Sequence, residues 1–222
     1  MPAEGNYYEY LGSYMNQFKN GIDLETYKVD GVNSGFITDS NSVRYIGLAN
    51  GSYAVVPVFK ELLPAYSTSL IDETAFRTGF CISTTFLAED SVDETETILS
   101  LGKYENDDLS SGFEITLSQA RVKIKGTSES TIDLPKNQLL TVDLNVNPTT
   151  IVTDSGTQDL YYFIIYVNGV MSACSRVFKS DIDWMFGTPL YLGCRNDLTH
   201  QSICKIYDFK IYTAPQSDVT MV

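Results

Sequence analysis

The chain has 222 residues, of which 43% are hydrophobic and 19% are charged, enough apolar material for one large folded domain or at most two small ones, which excludes a disordered chain. Acidic side chains outnumber basic ones by 28 to 15, and the net charge of −13 argues against a nucleic-acid partner. No segment approaches the length of about 18–20 apolar residues needed to cross a bilayer, and the first six residues do not resemble a signal peptide. We therefore expect a soluble, acidic, globular protein without membrane insertion or export signal.

Strands are predicted along nearly the whole chain. The segments that predict them are rich in Val, Ile, Tyr, Phe or Thr, and many alternate apolar with polar side chains. They are residues 43–46, 52–58, 78–86, 97–101, 112–117, 121–125, 139–146, 160–167, 170–177, 189–195 and 202–212. In 121–125 the alternation is clear, because Val122 and Ile124 stand between three cations.

Turn residues separate these segments. Asn50-Gly51 and residues 154–156 indicate turns, and Asn168-Gly169 between two strands predicts a tight type I′ hairpin, in which both central residues have positive φ. Residues 90–96 and 105–108 are predicted acidic loops. Helical signals are confined to single turns within 59–66 and 179–185.

We expect one β domain over residues 36–222, preceded by a leading segment, residues 1–35. This segment contains an aromatic-rich arm, with Tyr7, Tyr8, Tyr10, Tyr14 and Phe18 close together. Five exposed rings would form a larger apolar patch than monomers usually tolerate, so we predict that the arm stays outside the sandwich and binds another chain. The competing interpretation is an edge strand that covers the arm's own domain.

Four cysteines and one histidine give no zinc-binding spacing. Cys81 and Cys174 are interpreted as small strand residues packed in a sheet. Cys194 and Cys204 flank a polar loop and can face each other across a hairpin, so a disulfide between them and four reduced thiols are both open.

The last third of the chain resembles a known superfamily. Residues 166–170 (YVNGV), 189–193 (PLYLG), 204–212 (CKIYDFKIY) and 216–218 resemble the closing section of laminin-G-like, concanavalin A-like jelly rolls, and residues 46–57, 80–87 and 98–102 fit its earlier strands. The resemblance covers about residues 36–218 and implies an all-β, two-sheet antiparallel jelly-roll sandwich. In the last strand, Tyr207, Phe209 and Ile211 are predicted to face the core.

Enzymatic chemistry is not expected. Retaining glucanases of this superfamily carry three carboxylates in a Glu-x-Asp-x-x-Glu strand. The acidic runs at 23–25, 93–96 and 181–183 do not alternate in that way, and His200 has no Gly-x-Ser-x-Gly partner. We therefore predict no catalytic residue.

Calcium is the one metal left open, and we otherwise expect no cofactor. Relatives often bind Ca²⁺ through Asp, Asn and backbone oxygens on rim loops, which suits its preference for hard oxygen ligands. The candidate ligands are Asp39, Asn41, Asn106, Asp107 and Asp108. A solvated acidic rim is the alternative.

Glycan binding requires an aromatic ring that stacks on the sugar and polar groups that bind its hydroxyls. Trp184 and the loop after it meet these requirements, and the candidate ligand-binding residues are Trp184, Arg195, Asn196, Asp197 and His200. The alternative is that Trp184 only closes the edge of the core.

The resemblance implies a non-enzymatic function. We predict a structural or appendage protein of a bacteriophage virion, of the head or tail-fibre type, whose lectin-like domain binds a host-surface glycan or another virion protein. Its expected partners are other virion proteins, copies of itself, or a cell-surface glycan. Its expected location is the virion, assembled in the host cytoplasm, or otherwise the extracellular surface. The alternatives are a divergent glycoside hydrolase or lyase and a fragment of a bacterial surface adhesin.

Overall fold

Two antiparallel sheets face each other across one core in the computed structural model, which describes residues 7–9, 25–27, 35–38, 40–48, 53–56, 79–88, 96–124, 129–182, 184–185 and 188–212. The predicted all-β, two-sheet antiparallel sandwich is confirmed. Strands are numbered in chain order below.

Among the described residues, the first sheet has eight strands. In spatial order they are β13 (Val170–Phe178), β12 (Gly156–Val167), β11 (Leu139–Thr153), β6 (Phe80–Ala88), β15 (Cys204–Tyr212), β4 (Arg44–Leu48) and β3 (Gly35–Thr38), with β1 (Tyr7–Glu9) also paired to β15. A short helix, α1 (Lys179–Ile182), follows β13.

The second sheet has seven strands within the ranges that the structure describes. In spatial order they are β10 (Ser130–Asp133), β9 (Gln119–Lys123), β8 (Asp108–Thr116), β7 (Thr97–Glu105), β14 (Leu190–Leu192), β5 (Tyr53–Val56) and β2 (Glu25–Tyr27).

The core lies between the inner faces of the two sheets and is built by period-two alternation. Val122 and Ile124 are buried as predicted, while Arg121 and Lys123 point away from the core. The largest fully buried side chains are aromatic and aliphatic: Phe80, Phe86, Phe113, Phe163, Phe209, Ile46, Ile82 and Ile98.

The predicted tight hairpin at Asn168-Gly169 is confirmed. The two residues have φ of 50° and 78°, as a type I′ turn requires. The turn is also attached to β11, because the Asn168 N–H donates to the Thr141 carbonyl at 2.8 Å and the Thr141 N–H donates to Asn168 Oδ1 at 2.9 Å.

The prediction for the inner face of β15 is wrong at Tyr207. Phe209 and Ile211 are buried, but a register shift between Ile206 and Asp208 interrupts the alternation. Ile206 therefore takes the core position, and Tyr207 is half-buried with its ring 5.5 Å from that of Tyr45.

The prediction that the arm stays outside the sandwich is wrong at residues 7–9. These residues form β1, in which Tyr7 is opposite Tyr212 of β15, and β2 of the leading segment pairs with β5. Along β15, β4 pairs with residues 204–206 and β1 pairs with residues 210–212, so β1 continues the sheet beside β15 where β4 ends. Tyr10, Tyr14 and Phe18 lie outside the described residues, and the domain boundary at residue 36 stays a prediction.

All four cysteines are free thiols, which closes the question of a bridge between Cys194 and Cys204. Cys81, Cys194 and Cys204 are buried. The prediction that Cys174 is packed in a sheet is wrong in part, because it lies on the outermost strand and is exposed.

Helical structure matches the prediction near residue 179, where α1 is followed by a 3₁₀ turn at 184–185; the segment 59–66 lies outside the described residues. Within the part of the chain that the structure describes, no helix has the length and apolar character to span a membrane.

Candidate functional site

The outer face of the second sheet, which is turned away from the core, carries a buried carboxylate. Phe113 and Ile115 point into the sandwich, so Glu114 between them points outward from β8. Its side chain is nevertheless 0% exposed. A carboxylate without water requires hydrogen bonds and counter-charges from the protein.

Four side chains bind the Glu114 carboxylate. Thr97 Oγ1 and the Tyr104 hydroxyl donate to Oε1 at 2.9 and 3.1 Å. Arg195 Nε also donates to Oε1, at 2.8 Å, and Arg121 Nη2 donates to Oε2 at 2.6 Å. Burial acts to raise the pKa of Glu114, but the hydrogen bonds and charges of the two arginines outweigh it and hold the pKa below its usual value. The site therefore holds an ionised carboxylate between two guanidinium groups.

Arg195 connects this carboxylate to the turn between β7 and β8. Its Nη1 donates to the Asp107 carbonyl at 3.1 Å and to Asp107 Oδ1 at 3.0 Å. The guanidinium carbon lies 4.4 Å from the centre of the Tyr104 ring, a cation–π contact. Only 3% of the Arg195 side chain is exposed, and its hydrogen bonds are made to other groups of the protein.

The loop that begins at Arg195 is folded by its own hydrogen bonds. The Arg195 N–H donates to the Thr199 carbonyl at 3.1 Å, and Thr199 donates to Asp197 Oδ1 from its N–H at 3.0 Å and from its hydroxyl at 2.5 Å. Asn196 Nδ2 donates to the Gly102 carbonyl at 3.1 Å, which attaches the loop to β7 a second time. The loop is therefore held at both its base and its side.

His200 completes the contact between loop and turn. Its Nε2 lies 3.5 Å from Asp107 Oδ1, and its carbonyl accepts a 2.7 Å hydrogen bond from the Thr97 N–H. Residues 105–108 and 196–200 thus form one continuous surface, which we call the polar rim. Most of its side chains are exposed, including Asn106, Asp107 and the residues from 196 to 199.

A second charged cluster lies beside Glu114. Asp108 accepts a hydrogen bond from Lys123 Nζ at 2.8 Å and one from Arg121 Nη1 at 2.9 Å. The hydrogen bond from Lys123, together with that from Arg121, lowers the pKa of Asp108 to about 2. Arg121 therefore bridges the buried Glu114 and the exposed Asp108.

Trp184 lies in the 3₁₀ turn at 184–185, outside the loop that carries the other predicted ligand-binding residues. It is half-buried and packs on the core, and its Nε1 donates to the Asp181 carbonyl at 3.0 Å. The Lys103 ammonium lies 4.4 Å from the ring centre. Because Lys103 precedes Tyr104 in β7, the ring is connected to the polar rim through one strand.

The structure thus brings Arg195, Asn196, Asp197 and His200 together, as a single loop. Arg195, however, is inside the protein and supports the loop instead of facing solvent. The sequence did not predict Glu114 and Tyr104, which contact Arg195. Nor did it predict Arg121 and Thr97, which donate hydrogen bonds to Glu114. A glutamate between two apolar strand residues looks like any solvent-facing position, so no local signal marked it.

The candidate calcium ligands are dispersed. Asp39 lies outside the described residues, and Asn41 is exposed in a turn before β4. Asn106 and Asp107 form the β7–β8 turn, and the carboxylates of Asp107 and Asp108 bind cationic side chains. Across the described ranges, no group of three His, Cys, Asp or Glu residues is arranged to hold a metal ion. Calcium binding and a solvated acidic rim stay the two alternatives.

No protein-family model and no curated protein matches the sequence. Solved structures do match. One, described as "the receptor binding domain", is 16% identical with a TM-score of 0.51, and the match covers 96% of this chain and 48% of that one. The binding domain of botulinum neurotoxin serotype D/C is also 16% identical with a TM-score of 0.50, and the match covers 95% of this chain and 50% of that one.

The likeness is one of fold. The chain spans about half the length of the solved chains that it matches. At this identity the shared property is the two-sheet sandwich itself, a fold that is used by binding domains and by enzymes.

Proposed function

We propose that this domain is a non-enzymatic binding module that recognises glycan at the polar rim. The observation that carries the proposal is the buried Glu114–Arg195 pair, which fastens the 195–200 loop to the Asn106-Asp107 turn. A rim fixed in this way presents exposed amide, carboxylate and hydroxyl groups with little conformational freedom to lose on binding, which favours recognition of sugar hydroxyls.

The likeness to two binding domains supports this proposal at the level of fold. Within the rim, Asn106, Asp107, Thr199 and His200 offer donors and acceptors, and Leu198 offers exposed apolar surface. Trp184 extends the site along β7. Arg195 has a positioning role and does not contact the ligand.

A glycan array probed with the labelled full chain tests the proposal. We expect a defined set of bound glycans, whose binding falls at least about tenfold in a Trp184→Ala, His200→Ala double variant. The matched control is Thr157→Ala, at an exposed position of β12 in the first sheet, which should bind as the wild type does. Unchanged binding in the double variant removes the rim as the site.

A hydrolase or lyase is the alternative from another class. Acid catalysis requires a carboxyl group with a raised pKa, whereas the pKa of Glu114 is lowered and both of its oxygens are bound by arginines. Glu114 is therefore unsuited to act as a general acid. Turnover on a panel of β-glucans that disappears in an Asp181→Asn variant would overturn the proposal of a non-enzymatic module.

The place of action is a further part of the proposal. The resemblance to laminin-G-like domains, which recur on phage heads and fibres, favours a virion appendage, with a bacterial surface adhesin as the alternative. Mass spectrometry of gradient-purified particles from the source culture separates the two, because an appendage co-purifies with the particles and an adhesin fractionates with cells.

A further inference from the structure

The outermost strands of the sandwich differ in how well they resist pairing with another chain. An outermost strand exposes a row of unpaired backbone N–H and C=O groups, and proteins usually shorten it or place charges or proline on it. β2, β3 and β10 are three or four residues long. β13 has nine residues and lies at the end of the first sheet. It is therefore the long edge of the described sandwich.

The composition of β13 does not protect this edge strand against pairing with another strand. Its sequence, VMSACSRVF, has no proline, no lysine and no carboxylate, and Arg176 is its only charge. Met171 and Phe178 are 51% and 45% exposed. In a chain whose net charge is −13, a strand of this length with no carboxylate, a single arginine and exposed apolar side chains is unusual, and its composition suits a contact with another strand.

A bulge determines which side chains share the outer face of β13. Cys174 is opposite Ile164 of β12, whereas Met171 is opposite Tyr166, so Ser172 is the extra residue. The outer face therefore presents four positions at regular spacing, in the order Met171, Cys174, Arg176 and Phe178. Apolar residues stand at both ends, and the charge stands next to the centre.

This order is complementary to itself when it is reversed. We propose that β13 pairs antiparallel with β13 of a second copy of this chain, with the two-fold axis at Ser175. Met171 then faces Phe178 of the partner subunit, and Cys174 faces Arg176 of the partner subunit, each pair occurring twice. The two first sheets join into one continuous sheet across the dimer.

Other registers of the β13–β13 pair bring less favourable side chains together. Moving the axis to Arg176 places two guanidinium groups opposite each other, and moving it to Cys174 leaves Phe178 without a partner position. The rest of the acidic surface makes two copies repel, so dimerisation should strengthen as salt screens that repulsion. A dimer held by ion pairs would respond in the opposite way.

Charge substitutions test the surface and the register in the full chain. Sedimentation equilibrium should give a dimer association constant that falls about tenfold or more in Met171→Lys and in Phe178→Glu, because each change removes both apolar pairs. The double variant should recover to within about threefold of the wild type, because each introduced lysine faces the introduced glutamate of the other subunit. Val152→Lys, at an 84% exposed apolar position away from β13, is the matched control and should not change association.

A disulfide provides a second readout. Arg176→Cys places a new thiol opposite the native Cys174 of the partner subunit, so air oxidation with copper phenanthroline should give a covalent dimer on a non-reducing gel. Met171→Cys is the control, because its thiol lies about 13 Å along the strand from the nearest partner thiol. A wild-type chain that stays monomeric at about 100 µM in high salt overturns the inference. So does a double charge variant as weak as its singles.

Discussion

In the part of the chain that the structure describes, two hairpin turns have positive φ at both central residues, yet they are stabilised in different ways. Asn168-Gly169, between β12 and β13, has φ of 50° and 78° and contains a glycine, for which such a conformation costs little. Asn106-Asp107, between β7 and β8, has φ of 51° and 64° without a glycine. Arg195 instead binds the carbonyl and the carboxylate of Asp107.

The difference separates a turn encoded in two adjacent residues from a turn that depends on a residue 88 positions away. Positive φ at a residue other than glycine persists when its surroundings enforce it, and such positions concentrate at functional sites. The second turn belongs to the polar rim and the first does not. The comparison therefore supports placing function at the β7–β8 end of the sandwich.

Replacing Arg195, which holds the Asn106-Asp107 turn, should lower the stability of the protein more than any other change proposed below. Arg195→Met deprives the fully buried Glu114 of a counter-charge and releases Asp107, so we expect the free energy of unfolding to fall by about 3–5 kcal/mol. Urea denaturation followed by tryptophan fluorescence measures it. Lys136→Met, at an exposed lysine between β10 and β11, should change it by less than about 0.5 kcal/mol. Equal, small losses in both variants would contradict the supporting role of Arg195.

Breaking the locally encoded turn should have a smaller effect. Gly169→Val places a β-branched residue at φ 78° and should cost about 1–3 kcal/mol, although an added Cβ would meet no atom within 4 Å. Gly169→Asn tolerates positive φ and serves as the control. If the two variants unfold at the same urea concentration, backbone strain is not what Gly169 relieves.

As the pH is lowered, the Asn106-Asp107 turn should be destabilised before the Asn168-Gly169 turn. The folded-state pKa values of Glu114 and Asp108 lie below their unfolded values, and that of Asp108 is about 2. Their contribution to stability is therefore complete above about pH 4.5 and is lost as pH falls from there toward about 2. In Asp108→Asn the decline in melting temperature over this range should be shallower. A variant with the wild-type profile would exclude Asp108 from the linkage.

Removing calcium should change the stability of the protein least. The carboxylates of Asp107 and Asp108 already bind arginine and lysine side chains, so we expect a chelator to shift the melting temperature by less than about 1 °C. A larger fall that is restored by Ca²⁺ and not by Mg²⁺ would identify an ion site at the rim.

The strands and the first turn could be predicted from sequence because their signals are local. β9, β11 and β12 follow from alternation or apolar runs, and Asn168-Gly169 specifies its own geometry. β10 was missed because Ser130–Asp133 is short and mostly polar. The bulges in β13 and β15 were also missed, because an extra residue changes which side chains face the core without changing composition.

Four of the five candidate ligand-binding residues lie in one loop, and one of the four, Arg195, is buried. The loop residues from 195 to 200 were grouped correctly because they are adjacent in the chain. Arg195 was expected to bind a ligand, but its burial depends on Glu114, which is 81 positions earlier and outwardly resembles a solvated strand residue. Pairings at that separation are a property of sheet order, which no local pattern in the chain records.

The pairing of β1 with β15 has a mechanical consequence. Tyr7 is opposite Tyr212 and Glu9 is opposite Lys210, so chain arriving at β1 and chain leaving β15 do so at the same end of the sheet. A pulling force applied through these two segments loads the hydrogen bonds of the pair one after another, as in unzipping, and not all together. β1 should therefore peel away at low force while the remaining strands stay folded, so that a tethered sandwich would lengthen slightly under load before its core is disturbed.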